Sequence, residues 1–282
     1  MRRLLALSLT ALLAASCTRA PPAPVPHPRY VLGAPYQAGG VWHYPREQYG
    51  ASLTGLAIVE NRASRTLTAD GEAFDPDALA IASRTIQLPA IARLTDLQTG
   101  RQVVVRVNDR GPEQVGRLAA VTPRVAALLG FPANGIARVR LDVLPAESHA
   151  VADGLAGAPH LAIAAAPREA VIAQSLDAPA RAAPVATPAP LATPPPRLSG
   201  QVTQGPAEPG SLYVRLSRFT DKRYAARQAA QVAEPAEVVR VDDLDGAGYR
   251  VRLGPFATIA EADSALDQAI AAGVTDARIV VE

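Results

Sequence analysis

Gln102-Val103-Val104-Val105-Arg106-Val107 runs straight into Asn108-Asp109-Arg110-Gly111-Pro112. The first six residues have the β-branched, nearly unbroken apolar pattern of a buried strand. The next five must turn, because Gly permits backbone angles closed to other residues and Pro cannot extend a hydrogen-bonded ladder. The junction places a carboxylate, Asp109, at the lip of a sheet, flanked in sequence by Arg106 and Arg110. Upstream, Thr68-Ala69-Asp70-Gly71-Glu72-Ala73-Phe74-Asp75 reads as a second turn, with Glu72 beside an aromatic. Two acidic side chains on tight turns of a small β-rich domain point toward carbohydrate chemistry.

Working outward, apolar runs at 54–59, 91–97, 103–107 and 137–143 predict further short strands. One helix is signalled over 123–129, with Thr122 as N-cap, Pro123 at the first helical position and Gly130 just past the end. Short strands with a single helix predict a small barrel over 49–145. Residues 146–210 turn rich in Ala and Pro and predict a disordered linker that keeps two domains apart. Residues 211–282 contain an internal repeat. Tyr213-Val214-Arg215-Leu216-Ser217-Arg218-Phe219 matches Tyr249-Arg250-Val251-Arg252-Leu253-Gly254-Pro255-Phe256, and a helix follows each copy. The second helix opens on a capping box, Thr258 with Glu261, carries an apolar stripe at Ala262, Ala265, Leu266, Ala269 and Ile270, and stops at Gly273. The order is strand–helix–strand twice over, with both helices on one face of a sheet and the other face open. Alternation puts Tyr213, Arg215 and Ser217 on that open face, with Arg250, Arg252 and Gly254 equivalent in the second copy.

Met1-Arg2-Arg3 followed by the apolar stretch 4–13 reads as an export signal too short to span a bilayer. Cys17 is the single cysteine, which excludes an intrachain disulfide and metal sites built on paired cysteines. Residues 17–48 are a Pro-rich tether and an arm carrying Tyr36, Trp42 and Tyr44. The net charge is only +2, and no nucleic-acid surface is implied. An RNA-binding module with the same βαββαβ order is disfavoured on the same grounds, together with the export signal.

These segments resemble a known family. Leu12-Leu13-Ala14-Ala15-Ser16-Cys17 is similar to a bacterial lipobox, which implies cleavage after residue 16, lipidation of Cys17 and, with Thr18 next, an outer-membrane anchor facing the periplasm. Leu32-Gly33-Ala34-Pro35-Tyr36, 68–75, 103–112 and 135–140 resemble the rare lipoprotein A family of septal lytic transglycosylases. Residues 211–282 look like a SPOR domain, which binds peptidoglycan strands stripped of stem peptides. The resemblance implies a six-stranded double-psi β-barrel, then a linker and a βαββαβ, ferredoxin-like SPOR domain. It also implies non-hydrolytic cleavage of MurNAc–GlcNAc bonds to 1,6-anhydro ends, with no cofactor or metal, and division-site proteins as candidate partners. The chain departs from the family in lacking the Ala-Ser-Trp-Tyr-Gly and Phe-His-Gly motifs, and it has Ser83 where the family has a histidine. A barrel that binds glycan or a divisome partner without cutting is the alternative.

A transglycosylase needs one carboxyl that protonates the leaving oxygen and then takes the C6 hydroxyl proton. That group is expected to be neutral at rest, through burial or a neighbouring carboxylate. Residue chemistry alone lets Glu72 and Asp109 divide the roles either way; the resemblance implies Asp109 as acid/base and Glu72 as its partner. Arg110, Tyr213, Arg215, Arg250 and Arg252 are the candidate substrate-binding residues, arginine suiting the lactyl carboxylate and tyrosine a sugar ring.

Overall fold

The computed structural model describes residues 24–62, 66–159, 198–232, 236–243 and 246–282. Cys17, the export signal and the middle of the Ala/Pro-rich stretch lie outside them. A hairpin of β1 (Tyr36–Ala38) and β2 (Val41–His43) precedes the barrel strands β3 (Ser52–Val59), β4 (Ala80–Ser83), β5 (Ala90–Asp96), β6 (Arg101–Asp109) and β7 (Arg117–Val121). Helix α1 (Pro123–Leu129) and strand β8 (Ile136–Val143) complete it. The six strands hydrogen-bond in the order β4-β7-β3-β8-β5-β6, and a β4–β6 pairing closes the ring. Two pairings are parallel, β3 with β7 and β4 with β6. This is the double-psi barrel.

Alternation builds the barrel interior. On β6, Val103, Val105 and Val107 turn inward, and on β8 Ala137, Val139, Leu141 and Val143 do the same, all at most 3% exposed. Each such valine or leucine contributes roughly 1.5–3 kcal/mol by leaving water. Helix α1 covers one end as the sequence predicts. Thr122 caps it by accepting the Val125 N–H while its hydroxyl donates to Ala78 O at 2.6 Å. Gly130 closes it at φ 76°, in the left-handed region. Thr122→Ala removes both bonds and is expected to lower stability by about 1–2 kcal/mol, read as a lower urea midpoint.

Beyond the barrel come α2 (Pro145–Ala152), β9 (Thr203–Gln204), β10 (Leu212–Phe219), α3 (Lys222–Gln231), β11 (Ala236–Asp243), β12 (Gly246–Phe256), α4 (Ile259–Ala271) and β13 (Arg278–Val281). The last six form an antiparallel sheet, β11-β12-β10-β13, backed by two helices. The Thr258–Glu261 capping box is made, and Leu212, Val214 and Leu216 are buried in the core that contains Ala262, Ala265, Leu266 and Ala269 of α4.

Both ends of the stretch 146–210, predicted as unstructured, are ordered on the barrel. Helix α2 begins at Pro145, and its Ser148, fully buried, both accepts from Ile91 N and donates to Ile91 O at 3.0 Å. Strand β9 adds to β6 through Arg101–Gln204 and Gln102–Thr203, and Glu208 N donates to Leu97 O. Local composition offers no apolar face here; backbone bonds to strands already formed supply what composition lacks.

The two domains also touch, contrary to the separation that the linker implies. Neighbouring residues of β3 face different cores: Ala57 points into the barrel, and Leu56 joins Leu212, Leu253 and Ile279 of the second domain. Arg117, 4% exposed, donates two hydrogen bonds to the Asp263 carboxylate, at 2.6 and 2.8 Å. Removing Asp263 would strand the largely buried Arg117 charge, whereas the Asp263 side chain keeps 35% of its exposure.

Candidate active site

The turn 68–72 is a hydrogen-bonded knot. Thr68 N donates to Glu72 O and Gly71 N to Thr68 O. Residues of the N-terminal arm lie across it, with His27 N donating to Gly71 O and Arg29 N to Asp70 O. Gly71 has φ 87°, and a Cβ there would sit 2.2 Å from His27 O, so both the backbone conformation and the close arm require glycine.

Asp70 is fully buried beneath this turn. Its Oδ1 accepts from Thr68 Oγ1 at 2.6 Å and from Glu72 N at 3.1 Å, while Oδ2 has no partner among the described residues. Burial first, then the charge of Glu72, pushes its pKa up to about 6.

Glu72 Oε2 accepts from Asn108 Nδ2 at 2.9 Å. Arg106 Nη2 stands 2.6 Å from Oε1 as an ion pair off the hydrogen-bonding axis. Asp109 Oδ1 accepts the backbone N–H groups of Ala69 and Arg110, both at 2.8 Å. Its Oδ2 pairs with Arg62 Nη2, and the Arg62 guanidinium also lies 4.4 Å above the Phe74 ring. The loop 68–72 and the end of β6 are therefore joined through both carboxylates.

Asp109 borders a cleft with Glu60, Arg62, Phe74, Asn108 and Thr122. Glu72 stands behind that wall, reaching it through Asn108. With Arg62 in place the cleft holds about 20 Å³, the room of a single water. An arginine stands beside each of the expected pair, and the carboxyl whose pKa burial raises is Asp70. Arg62, Asp70 and Asn108 were not singled out from sequence, although Asp70 and Asn108 sit inside the motifs that carry the two acids.

Arg110, expected to bind substrate, is corrected by its surroundings. Its guanidinium turns inward and donates to four carbonyls, those of Ser83, Ile86, Val31 and Leu32. It ties β4 and the arm together. Arg106 likewise serves Glu72 rather than Asp109. Ser83, where the resemblance implies a histidine, is 1% exposed.

On the second domain, Tyr213, Arg215, Arg250 and Arg252 share the open sheet face, as register dictates: Arg215 lies opposite Arg252. Arg252 stacks 4.5 Å over the Tyr213 ring and pairs with Glu237 and Glu282, and Arg215 also reaches Glu282 at 2.6 Å. The face is an ionic network around one aromatic ring.

A family model described as "Lytic transglycolase" matches residues 57–141, and a SPOR domain model matches 208–279. A Pseudomonas aeruginosa protein named endolytic peptidoglycan transglycosylase RlpA is 30% identical over 264 residues, 86% of this chain and 75% of that one. The chain belongs to the RlpA family. Two shorter matches to family members bear the same name. The Neisseria meningitidis protein is 38% identical over 121 residues, 42% of this chain and 51% of its own length. The Escherichia coli protein is 42% identical over 92 residues, 32% of this chain and 25% of its own length. Barrel, SPOR domain and their order in this chain are those expected of an RlpA-family member.

Proposed function

We propose that this protein, whose relatives are named endolytic peptidoglycan transglycosylases, cuts the MurNAc–GlcNAc bond of peptide-free glycan as a lytic transglycosylase. Asp109 carries the reaction. Its proton goes to the glycosidic oxygen as the bond from that oxygen to C1 of MurNAc breaks. The C6 hydroxyl oxygen then bonds to C1, and its proton returns to the same carboxylate. No water is consumed and the carboxyl ends as it began. The observation that supports this reading most is the posture of Asp109 at the edge of the cleft: two backbone N–H groups fix Oδ1, and Oδ2 is held by Arg62. Arg62 must leave Oδ2 before a sugar oxygen can reach it, and its departure removes a positive charge where a proton is needed. Glu72, held by Arg106 and Asn108, supplies negative potential behind the oxocarbenium-like centre.

The open SPOR face holds the strand, and a lipid on Cys17 anchors the protein to the outer membrane, facing the periplasm and enriched at the septum. A binding protein without cutting activity is the second reading, favoured by Arg62 on Oδ2 and by Ser83. Purified full-length protein is expected to release 1,6-anhydro ends from amidase-stripped glycan and few from glycan bearing stem peptides, read by mass spectrometry. Absence of anhydro ends at high protein concentration, with retention on the glycan intact, selects the second reading.

A further inference from the structure

A second cleft, of about 590 Å³, opens between the arm, the barrel and the SPOR sheet. The arm is tied to the SPOR domain by its backbone, Trp42 N–H donating to Thr275 O at 2.8 Å. Trp42 and Tyr44 line this cleft as a stacked pair, ring centroids 6.2 Å apart and planes 28° apart. The two residues remain 41% and 57% exposed, uncommon for large aromatics that serve only packing. Other parts of the wall are cationic: Arg46 from the arm, and Arg278 of β13, paired in register with Arg215 of β10. Arg215 is engaged by Glu282. The guanidiniums of Arg46 and Arg278 make no hydrogen bond or ion pair among the described residues. Atoms crowded around its guanidinium, although the residue as a whole stays exposed, and then the charges of Arg215 and Arg250 lower the Arg278 pKa to about 10, with Arg46 adding to the same field and Asp276 opposing it. Asp276 itself accepts from Ser217 Oγ at 2.7 Å. At neutral pH the arginines stay charged, so the cleft holds more positive than negative charge beside an aromatic platform.

That combination fits a pyranose bearing a carboxylate: the ring's apolar face suits the aromatic pair, and the carboxylate suits paired guanidinium forks. A free phosphate or a lipid headgroup would use the arginines but give the stacked rings nothing to do. Residues Ala80, Ile81 and Ala82 line the Asp109 cleft, and Ser83, Arg84 and Thr85 line this one, so the two clefts meet along β4. We propose that this cleft is a second glycan subsite, where Trp42 and Tyr44 stack on a sugar ring and Arg46 and Arg278 hold the lactyl carboxylate of a MurNAc unit. It rests on the reading that peptidoglycan glycan is the ligand, and it gives the arm a role in passing the strand from SPOR sheet to barrel.

Trp42 is the single tryptophan of the chain, so intrinsic fluorescence reports on the site directly. Full-length protein is titrated with a MurNAc-containing tetrasaccharide and with chitotetraose, which has the same rings and no carboxylate. A saturable change is expected with the first, and at least tenfold weaker binding of the second. Arg46→Gln with Arg278→Gln should weaken the MurNAc probe at least tenfold and leave chitotetraose unchanged; the paired Lys substitutions should recover part of the loss. A flat fluorescence titration, equal affinity for the two sugars, the same response to inorganic phosphate alone, or full affinity in the Gln pair overturns the subsite. Release of anhydro ends is measured on the same samples. Cutting with flat fluorescence removes the subsite and leaves the transglycosylase reading standing; the fluorescence response without cutting does the reverse.

Discussion

Asp109→Asn is expected to cut peptide-free glycan about 10²–10⁴-fold more slowly than the unaltered protein, the range for losing a general acid–base group. The amide keeps an oxygen for the Ala69 and Arg110 N–H groups, so the turn is retained. What is lost is the group that can give and take a proton at the Oδ2 position. An amide NH2 there also faces the Arg62 donor, which frees a side chain already 30% exposed, at small cost to stability. Retention on glycan should be unchanged, because the SPOR face lies on another domain. Glu72→Gln tests the other half of the pair. Glu72 does not border the cleft, and its replacement leaves Arg106, whose side chain is 12% exposed, without its counter-charge. A loss of about tenfold, smaller than that of Asp109→Asn, is the signature of an electrostatic role. Wild-type rates of anhydro-end release in Asp109→Asn would place the proton transfer on another group, with Glu60 in the same cleft as the next carboxyl to replace.

The barrel's outline was legible where one residue pattern implied one environment. The valines of β6 could only be a buried strand, and Thr122, Pro123 and Gly130 bracket α1 by local rules alone. The SPOR repeat declared itself because two copies repeat the same alternation. What escaped reading depends on the rest of the chain. Ala80-Ile81-Ala82-Ser83 is buried along its whole length and has no alternation to detect, yet β4 closes the ring. Helix α2 and strand β9 exist through backbone bonds to strands far off in sequence. The site followed the same division. Local motifs located Asp109 and Glu72, but not where their arginine neighbours point. Strand order cannot tell that Arg110 folds back onto carbonyls, or that Arg62, from a stretch without family motifs, arrives over Phe74. Asp70 is hidden for a related reason: its burial is completed by residues 27–29, which belong to the arm and precede the whole barrel in the chain.

The buried Asp70 gives the barrel a pH dependence of its own. Its folded pKa is about 6 against an ordinary value of 3.8. Between those values the native protein binds more protons than the unfolded chain, so stability falls as pH rises from about 4 to about 6 and levels off above. The rise from 3.8 to about 6 corresponds to about 2–3 kcal/mol, undiminished by solvent because the side chain is fully buried. Asp70→Asn has no proton to lose. Its stability relative to the unaltered protein should therefore rise by about 2–3 kcal/mol between about pH 4 and pH 7, read from urea midpoints followed by circular dichroism. Carboxyls not coupled to Asp70 titrate alike in both proteins and cancel in the difference, and the Asp70–Glu72 repulsion is part of what the difference reads. The same step bears on catalysis. When Asp70 loses its proton, a second negative charge appears beside Glu72, under the turn whose Ala69 N–H fixes Asp109. Repulsion between the two carboxylates should loosen that turn and with it the hold on Asp109, so release of anhydro ends should decline above about pH 6 in the unaltered protein and hold level in Asp70→Asn. A difference curve that stays flat from about pH 4 to pH 7 would mean that Asp70 is ionised throughout, and the turn would owe its shape to hydrogen bonds alone.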